Sequence, residues 1–162
     1  MHKYIVLTIL MIFFFNCSGK NNQEKEKAMN LKLTWGMISN YLEGESSCRA
    51  AFTIHNNSNE DLGNKGWAIF YSQSPRKITN HSASKANINQ INGDWFSITP
   101  NESFSLQPGD QVTIQYDLSN YLIKETDAPL YPYLVLYDQD GNEKDISRIC
   151  LLYTSPSPRD RG

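Results

Sequence analysis

Between Ile88 and Pro100 the chain reads Ile-Asn-Gln-Ile-Asn-Gly-Asp-Trp-Phe-Ser-Ile-Thr-Pro. Two runs that favour extended structure flank Asn92-Gly93, a dipeptide that tolerates the positive φ angles of a two-residue type I′ turn. The segment therefore predicts a β-hairpin. Past the turn, Trp95, Ser97 and Thr99 alternate with Phe96 and Ile98. One face of that strand is apolar and the other is led by Trp95 and otherwise polar. Pro100 closes it, because proline has no N–H for the ladder.

The rest of the chain repeats this pattern. Leu31–Trp35, Cys48–Ile54 and Val112–Tyr116 alternate as strands do, and Trp67–Tyr71 and Tyr133–Tyr137 are apolar on both faces, as central strands would be. Turn formers separate them: His55-Asn56-Asn57-Ser58-Asn59, Asp140-Gly141 ahead of Asn142–Ile146, and Gln107-Pro108-Gly109-Asp110, which specifies a type II turn. Ser72–Ala86 reads as a long polar loop, and Leu118–Leu130 as the one place for a short helix, limited by Pro129. About eight short strands at regular spacing, with no convincing amphipathic helix, give an all-β fold, a β-sandwich. Phe52, Trp67, Ile69 and Val135 are expected in its core.

Both ends fall outside that pattern. Lys3 precedes an apolar run, Tyr4 to Phe15, that suits the h-region of a secretory signal. Phe14-Phe15-Asn16-Cys17 resembles a bacterial lipoprotein cleavage box, with Asn16 where a small residue is usual. Residues 1–16 are then a signal peptide and Cys17 the lipidated N-terminus. Residues 17–30, polar from Ser18 to Lys27, form a tether that holds residues 31–149 at the cell envelope; plain secretion and an uncleaved anchor are the alternatives. At the other end, Cys150-Leu-Leu-Tyr-Thr-Ser-Pro-Ser-Pro-Arg-Asp160 resembles a translated sequencing-library adaptor. Residues 150–162 are expected to lie outside the domain and to pack poorly on it.

A net charge of −2 argues against nucleic acid as a partner. The three cysteines include Cys17 and the tail's Cys150, so Cys48 has no disulfide partner and reads as a small buried hydrophobe. Asp138-Gln139-Asp140-Gly141-Asn142 alternates oxygen side chains, but Gly141 is misplaced for a calcium loop and a hairpin turn explains the run better. No metal or other cofactor is expected.

The ordered set Leu33-Thr34-Trp35, Ala51–Asn56, Gly66–Ile69, Ile91–Pro100, Leu106–Gly109 and Thr126–Pro129 resembles the N-terminal domain of bacterial chitobiases and β-hexosaminidases. The resemblance implies a β-sandwich similar to cellulose-binding modules. It also implies a carbohydrate-binding role ahead of a family-twenty glycoside hydrolase barrel that cleaves terminal N-acetylhexosamine. That chemistry uses an adjacent Asp-Glu pair, and no Asp-Glu dipeptide occurs in this chain, so no catalytic residue is assigned. The expected partners are a glycan containing N-acetylglucosamine, a downstream catalytic domain absent from this sequence, and a membrane reached through the lipid. Two other roles remain open: a domain that only braces the catalytic barrel, and a lipid-anchored adhesion sandwich.

Sugar binding needs exposed rings, because the apolar faces of pyranoses stack on Trp and Tyr while Asn, Asp and Gln take the hydroxyls. Trp95, beside a turn, and Tyr41, Tyr121 and Tyr131, in predicted loops, are the candidates.

Overall fold

The computed structural model describes residues 29–40, 42–74, 76–81, 85–120 and 127–154. The predicted signal peptide, Cys17, Tyr41 and Tyr121 lie outside the described residues. Ten strands follow in chain order: β1 (Leu31–Ser39), β2 (Ser47–Asn56), β3 (Trp67–Ser72), β4 (Ile78–His81), β5 (Ala86–Asn92), β6 (Trp95–Pro100), β7 (Gln111–Ser119), β8 (Leu130–Tyr137), β9 (Glu143–Arg148) and β10 (Cys150–Thr154). They form two five-stranded sheets, β10-β1-β2-β7-β4 and β5-β6-β3-β8-β9. The fold is the all-β sandwich that the alternation predicts.

Burial follows the period of two. In β2, Cys48, Ala50, Phe52, Ile54 and Asn56 are buried while the residues between them are not. Phe52 packs across the sandwich against Tyr71, with ring centroids 4.9 Å apart, and stacks on Tyr116 in its own sheet at 5.7 Å. Phe96 and Ile98 of the hairpin close the same core, both fully buried. Phe52, Trp67 and Ile69 lie in the core as expected. Val135 is also buried, but it alternates with core-facing Leu134 and points out of the sandwich.

Asn56, at the end of β2, is a fully buried polar residue. Its Nδ2 donates to the Glu60 and Leu106 carbonyls at 2.8 and 2.9 Å, and its Oδ1 accepts from the Ser58 backbone N–H and hydroxyl. The Asn56 carbonyl also accepts from Gly109 N at 2.8 Å, inside the turn where Gly109 sits at φ +84° and Asp110 N bonds Gln107 O. The Asn56 N–H in turn donates to Asp110 O at 3.0 Å, so two main-chain bonds tie the predicted type II turn to the end of β2.

Several local expectations change. Asn92 pairs with Trp95, so the hairpin turn is Gly93-Asp94 rather than Asn92-Gly93. Gly93 has φ +45° and Asp94 is not left-handed, the pattern of a type II′ turn. Directing Phe96 and Ile98 inward fixes the register, and Gln90 Nε2 bonded to Gly93 O at 2.7 Å holds the turn. The polar loop expected over Ser72–Ala86 contains β4, an edge strand added to β7 by main-chain pairing that its side chains do not advertise. Leu118–Leu130, expected to hold a short helix, begins as the end of β7; residues 121–126 lie outside the described residues.

The first sheet takes in residues beyond the domain end expected at Ile149, because Cys150–Thr154 pair in parallel with β1 as β10. Buried Ile149, whose N–H bonds Pro132 O at 3.0 Å, hands the chain from β9 to the open edge of β1. A strand edge offers main-chain donors and acceptors that any extended segment can use. Leu152 and Tyr153 nonetheless stay exposed.

Candidate functional site

The outer face of the second sheet carries the feature that stands out. Pairing across its five strands aligns Asn89 of β5, Ser97 of β6, Phe70 of β3, Tyr133 of β8 and Arg148 of β9 in one row. Trp95, opposite Ser72, lies one step along from Ser97 on the same face. The rings of Phe70, Trp95 and Tyr133 come together as a triangle. Phe70 is 6.1 Å from Trp95 and 5.5 Å from Tyr133, near-parallel to both, and Trp95 is 5.8 Å from Tyr133.

All three rings are only half-buried, so the cluster meets solvent without belonging to the core between the sheets. Local structure explains each placement. Trp95 follows immediately after the Gly93-Asp94 turn, and Ser72 Oγ donating to Asp94 Oδ2 at 3.0 Å ties that turn to β3. Phe70 and Tyr133 face each other directly across the ladder of two central strands. Asn87, paired with Thr99, and Asn89, paired with Ser97, flank the rings on one side, and Arg148 lies on the other.

Burial pushes the phenols of Tyr133 and Tyr137 above their ordinary range, and the Glu143 carboxylate adds to both shifts. The Tyr133 hydroxyl, beside the ring cluster, therefore keeps its proton and can both donate and accept. An apolar ring platform bordered by amides and hydroxyls suits the two sides of a pyranose, its C–H face and its hydroxyl rim.

Of the rings singled out from sequence, Trp95 joins this cluster. Tyr131 is 82% exposed, at a place where β8 has more residues than β3 between the pairs Phe70–Tyr133 and Ser72–Leu130. Its φ of +53° is a left-handed conformation unusual for an aromatic residue. The bulge turns it away from the regular alternation. Phe70 and Tyr133 were not singled out. The available signal was the two-sided apolarity of their strands: in a two-layer sandwich only one side of a strand faces the core.

Other chemistry finds little support. Asp138, in the loop weighed for calcium, accepts the Asp140 and Asn142 backbone N–H groups at 2.9 and 2.8 Å and the Asn142 amide at 3.2 Å. Its carboxylate builds the turn. Among the described residues, no group of three or more His, Cys, Asp and Glu converges in a way that could hold a metal.

Residues 22–146 match a family described as "Putative carbohydrate binding domain". The fold is similar to part of the GH20 exo-β-N-acetylglucosaminidase of Vibrio harveyi, in complex with N-acetylglucosamine, with a TM-score of 0.62 and 18% identity, covering 80% of this chain. The chain spans only 19% of that enzyme. Also similar are the chitin-binding domain of Chi18aC from Streptomyces coelicolor, at TM-score 0.47 and 18% identity over 66% of this chain and 91% of that one, and a family 3b carbohydrate-binding module from cellobiohydrolase 9A of Clostridium thermocellum, at 0.46 and 13% over 72% and 95%. No curated protein matches the chain.

Proposed function

This chain belongs to the carbohydrate-binding-domain family that it matches over residues 22–146, and we propose that it binds a glycan containing N-acetylglucosamine on the outer face of its second sheet. The observation that carries the reading is the triangle of Phe70, Trp95 and Tyr133, three rings within about 6 Å of one another on a solvent-facing sheet. Half-buried rings grouped on a solvent-facing sheet, outside the core, mark a surface that a ligand can cover. A pyranose covers it by stacking, and Asn87, Asn89 and Arg148 border the rings to take its hydroxyls or acetamide.

On this reading the domain is an accessory module of a β-N-acetylhexosaminidase and delivers a downstream catalytic domain to its substrate. Cys17, which lies outside the described residues, would carry the lipid that keeps the protein at the cell envelope. Supporting the first point are the fold similarity to part of a GH20 enzyme and the absence of an adjacent Asp-Glu pair from this sequence.

The test is binding of the purified full chain to chitin and to soluble N-acetylglucosamine oligosaccharides, followed by Trp fluorescence and calorimetry. Binding is expected, and Trp95→Ala should weaken it at least about tenfold, or 1.4 kcal/mol. No binding by the wild type, or equal binding by Trp95→Ala, would remove this function. A domain that only braces the catalytic barrel would then be the better reading.

A further inference from the structure

The outer face does not stop at the three rings. Along β8 the outward positions run Tyr133, Val135, Tyr137, and four residues of strand place Tyr137 about 13 Å beyond Tyr133. Val135 and its partner Ala68 lie between, 2% and 4% exposed, beside an exposed Ile146. Val135 and Ala68 are thus covered, and Ile146 of β9, paired with Val135, supplies exposed apolar surface between the rings and Tyr137.

Past Tyr137, at the end of β8, lies a groove of about 700 Å³ whose lining includes Lys65, Gly66, Trp67, Tyr137, Asp138 and Gln139. Its floor is fixed by the main chain, with Tyr137 N bonded to Gly66 O at 2.8 Å. Gly66 sits at φ +77°, which a side chain would strain. The Trp67 indole N–H is already used, donating to Gly63 O at 2.6 Å, and the Asp138 carboxylate is taken up by its own turn. The groups that face a ligand are thus the Lys65 ammonium, the Gln139 amide and the Tyr137 ring and hydroxyl.

We propose that this groove is a second subsite of the same face, so that the ligand is a linear oligosaccharide longer than a disaccharide, lying along β8 from Trp95 and Tyr133 to Tyr137. The proposal rests on the glycan-binding reading above. The separation of Tyr133 and Tyr137 exceeds the length of a disaccharide, so a short ligand engages one end only. Lys65 and Gln139 offer donors to an acetamide carbonyl, while Tyr137 stacks on a ring, the same division of labour as at the first three rings. Two subsites on one rigid sheet gain affinity through the linkage of their ligands.

Calorimetry of the full chain with a series of N-acetylglucosamine oligosaccharides, from the disaccharide to the hexasaccharide, tests this. Affinity is expected to rise at least about tenfold between the disaccharide and the longer members. Tyr137→Ala should flatten that rise while leaving disaccharide affinity unchanged, whereas Trp95→Ala lowers affinity at every length. Gln139→Ala, on an exposed turn, repeats the test should Tyr137→Ala fail to fold. Equal affinity at all lengths, or a length dependence untouched by both groove variants, would overturn the second subsite and leave the first standing. Binding at no length would overturn both.

Discussion

The two sheets of this sandwich obey the same alternation, yet their outer faces are built from different chemistry. Across β1, β2 and β7 of the first sheet, most outward residues are polar and several pair with one another. Thr53 and Thr113 hydroxyls meet at 2.8 Å, Thr34 approaches His55 at 3.4 Å, and Arg49 grips Asp117 through two bonds at 2.7 and 2.9 Å. Those polar groups satisfy one another. On the second sheet the corresponding positions hold Phe70, Trp95, Tyr133 and Tyr137, rings that add nothing to the core between the sheets and remain in part uncovered. Exposed apolar side chains occur on both sheets, Ile38 and Leu152 on the first among them, but the cluster of three stacked and tilted rings lies on the outer face of the second.

The largest effect should come from the element that both faces share. Phe52→Ala, deep between the sheets, is expected to cost about 3–5 kcal/mol, and chemical denaturation should show one transition reported alike by probes on either face. Two separate transitions would break the picture of two faces on one unit.

Next comes the pair of variants that separates the faces. Trp95→Ala should lose at least about tenfold in glycan affinity, and Thr53→Ala on the opposite face should bind as the wild type does. The thermal midpoint of each variant, measured alongside, tells lost binding from lost folding.

A third effect belongs to the polar face alone and appears with pH. The Arg49 guanidinium holds the Asp117 carboxyl below its ordinary value, despite opposing desolvation. A carboxyl with a depressed folded-state pKa adds stability above its unfolded value, near pH 4, and that contribution is lost as pH falls through the folded value. Asp117→Asn should therefore lower stability at neutral pH and narrow its acid-induced loss, as read by melting temperature across the acid range. An unchanged acid limb would show the ion pair to be incidental.

The smallest expected effect has the opposite sign. Tyr131→Gly relieves a left-handed φ of +53° on an exposed side chain and should stabilise the fold by up to about 1 kcal/mol. A loss of stability would mean that the Tyr131 ring packs on something.

Much of this architecture was readable in the chain because a period of two is a local signal. Phe96 and Ile98 announce an inward face, Pro108-Gly109 a type II turn, and Trp67 a core residue, and each appears as expected. Trp95 could be selected because it sits beside a turn. Its partners could not, because Phe70 and Tyr133 meet it only through the register of three strands distant in sequence, which no single strand encodes. Asn56 lies in a run that reads as turn-forming, and only the structure reveals it as a buried clamp between β2, the following loop and Leu106. β4 is hidden for a different reason, since an edge strand is joined by main-chain bonds that carry little sequence preference, while β10 lies in the run whose resemblance to an adaptor places it outside the domain.

The most direct test of the central claim is to map an N-acetylglucosamine oligosaccharide onto the isotopically labelled full chain by NMR shift perturbation. Perturbations are predicted to gather on the outer face of the second sheet, at the Trp95 indole and at Phe70, Tyr133 and Asn89, while Thr53, Thr113 and Arg49 on the first sheet stay still. Perturbations centred on the first sheet's face, or none at saturating ligand, would contradict the account.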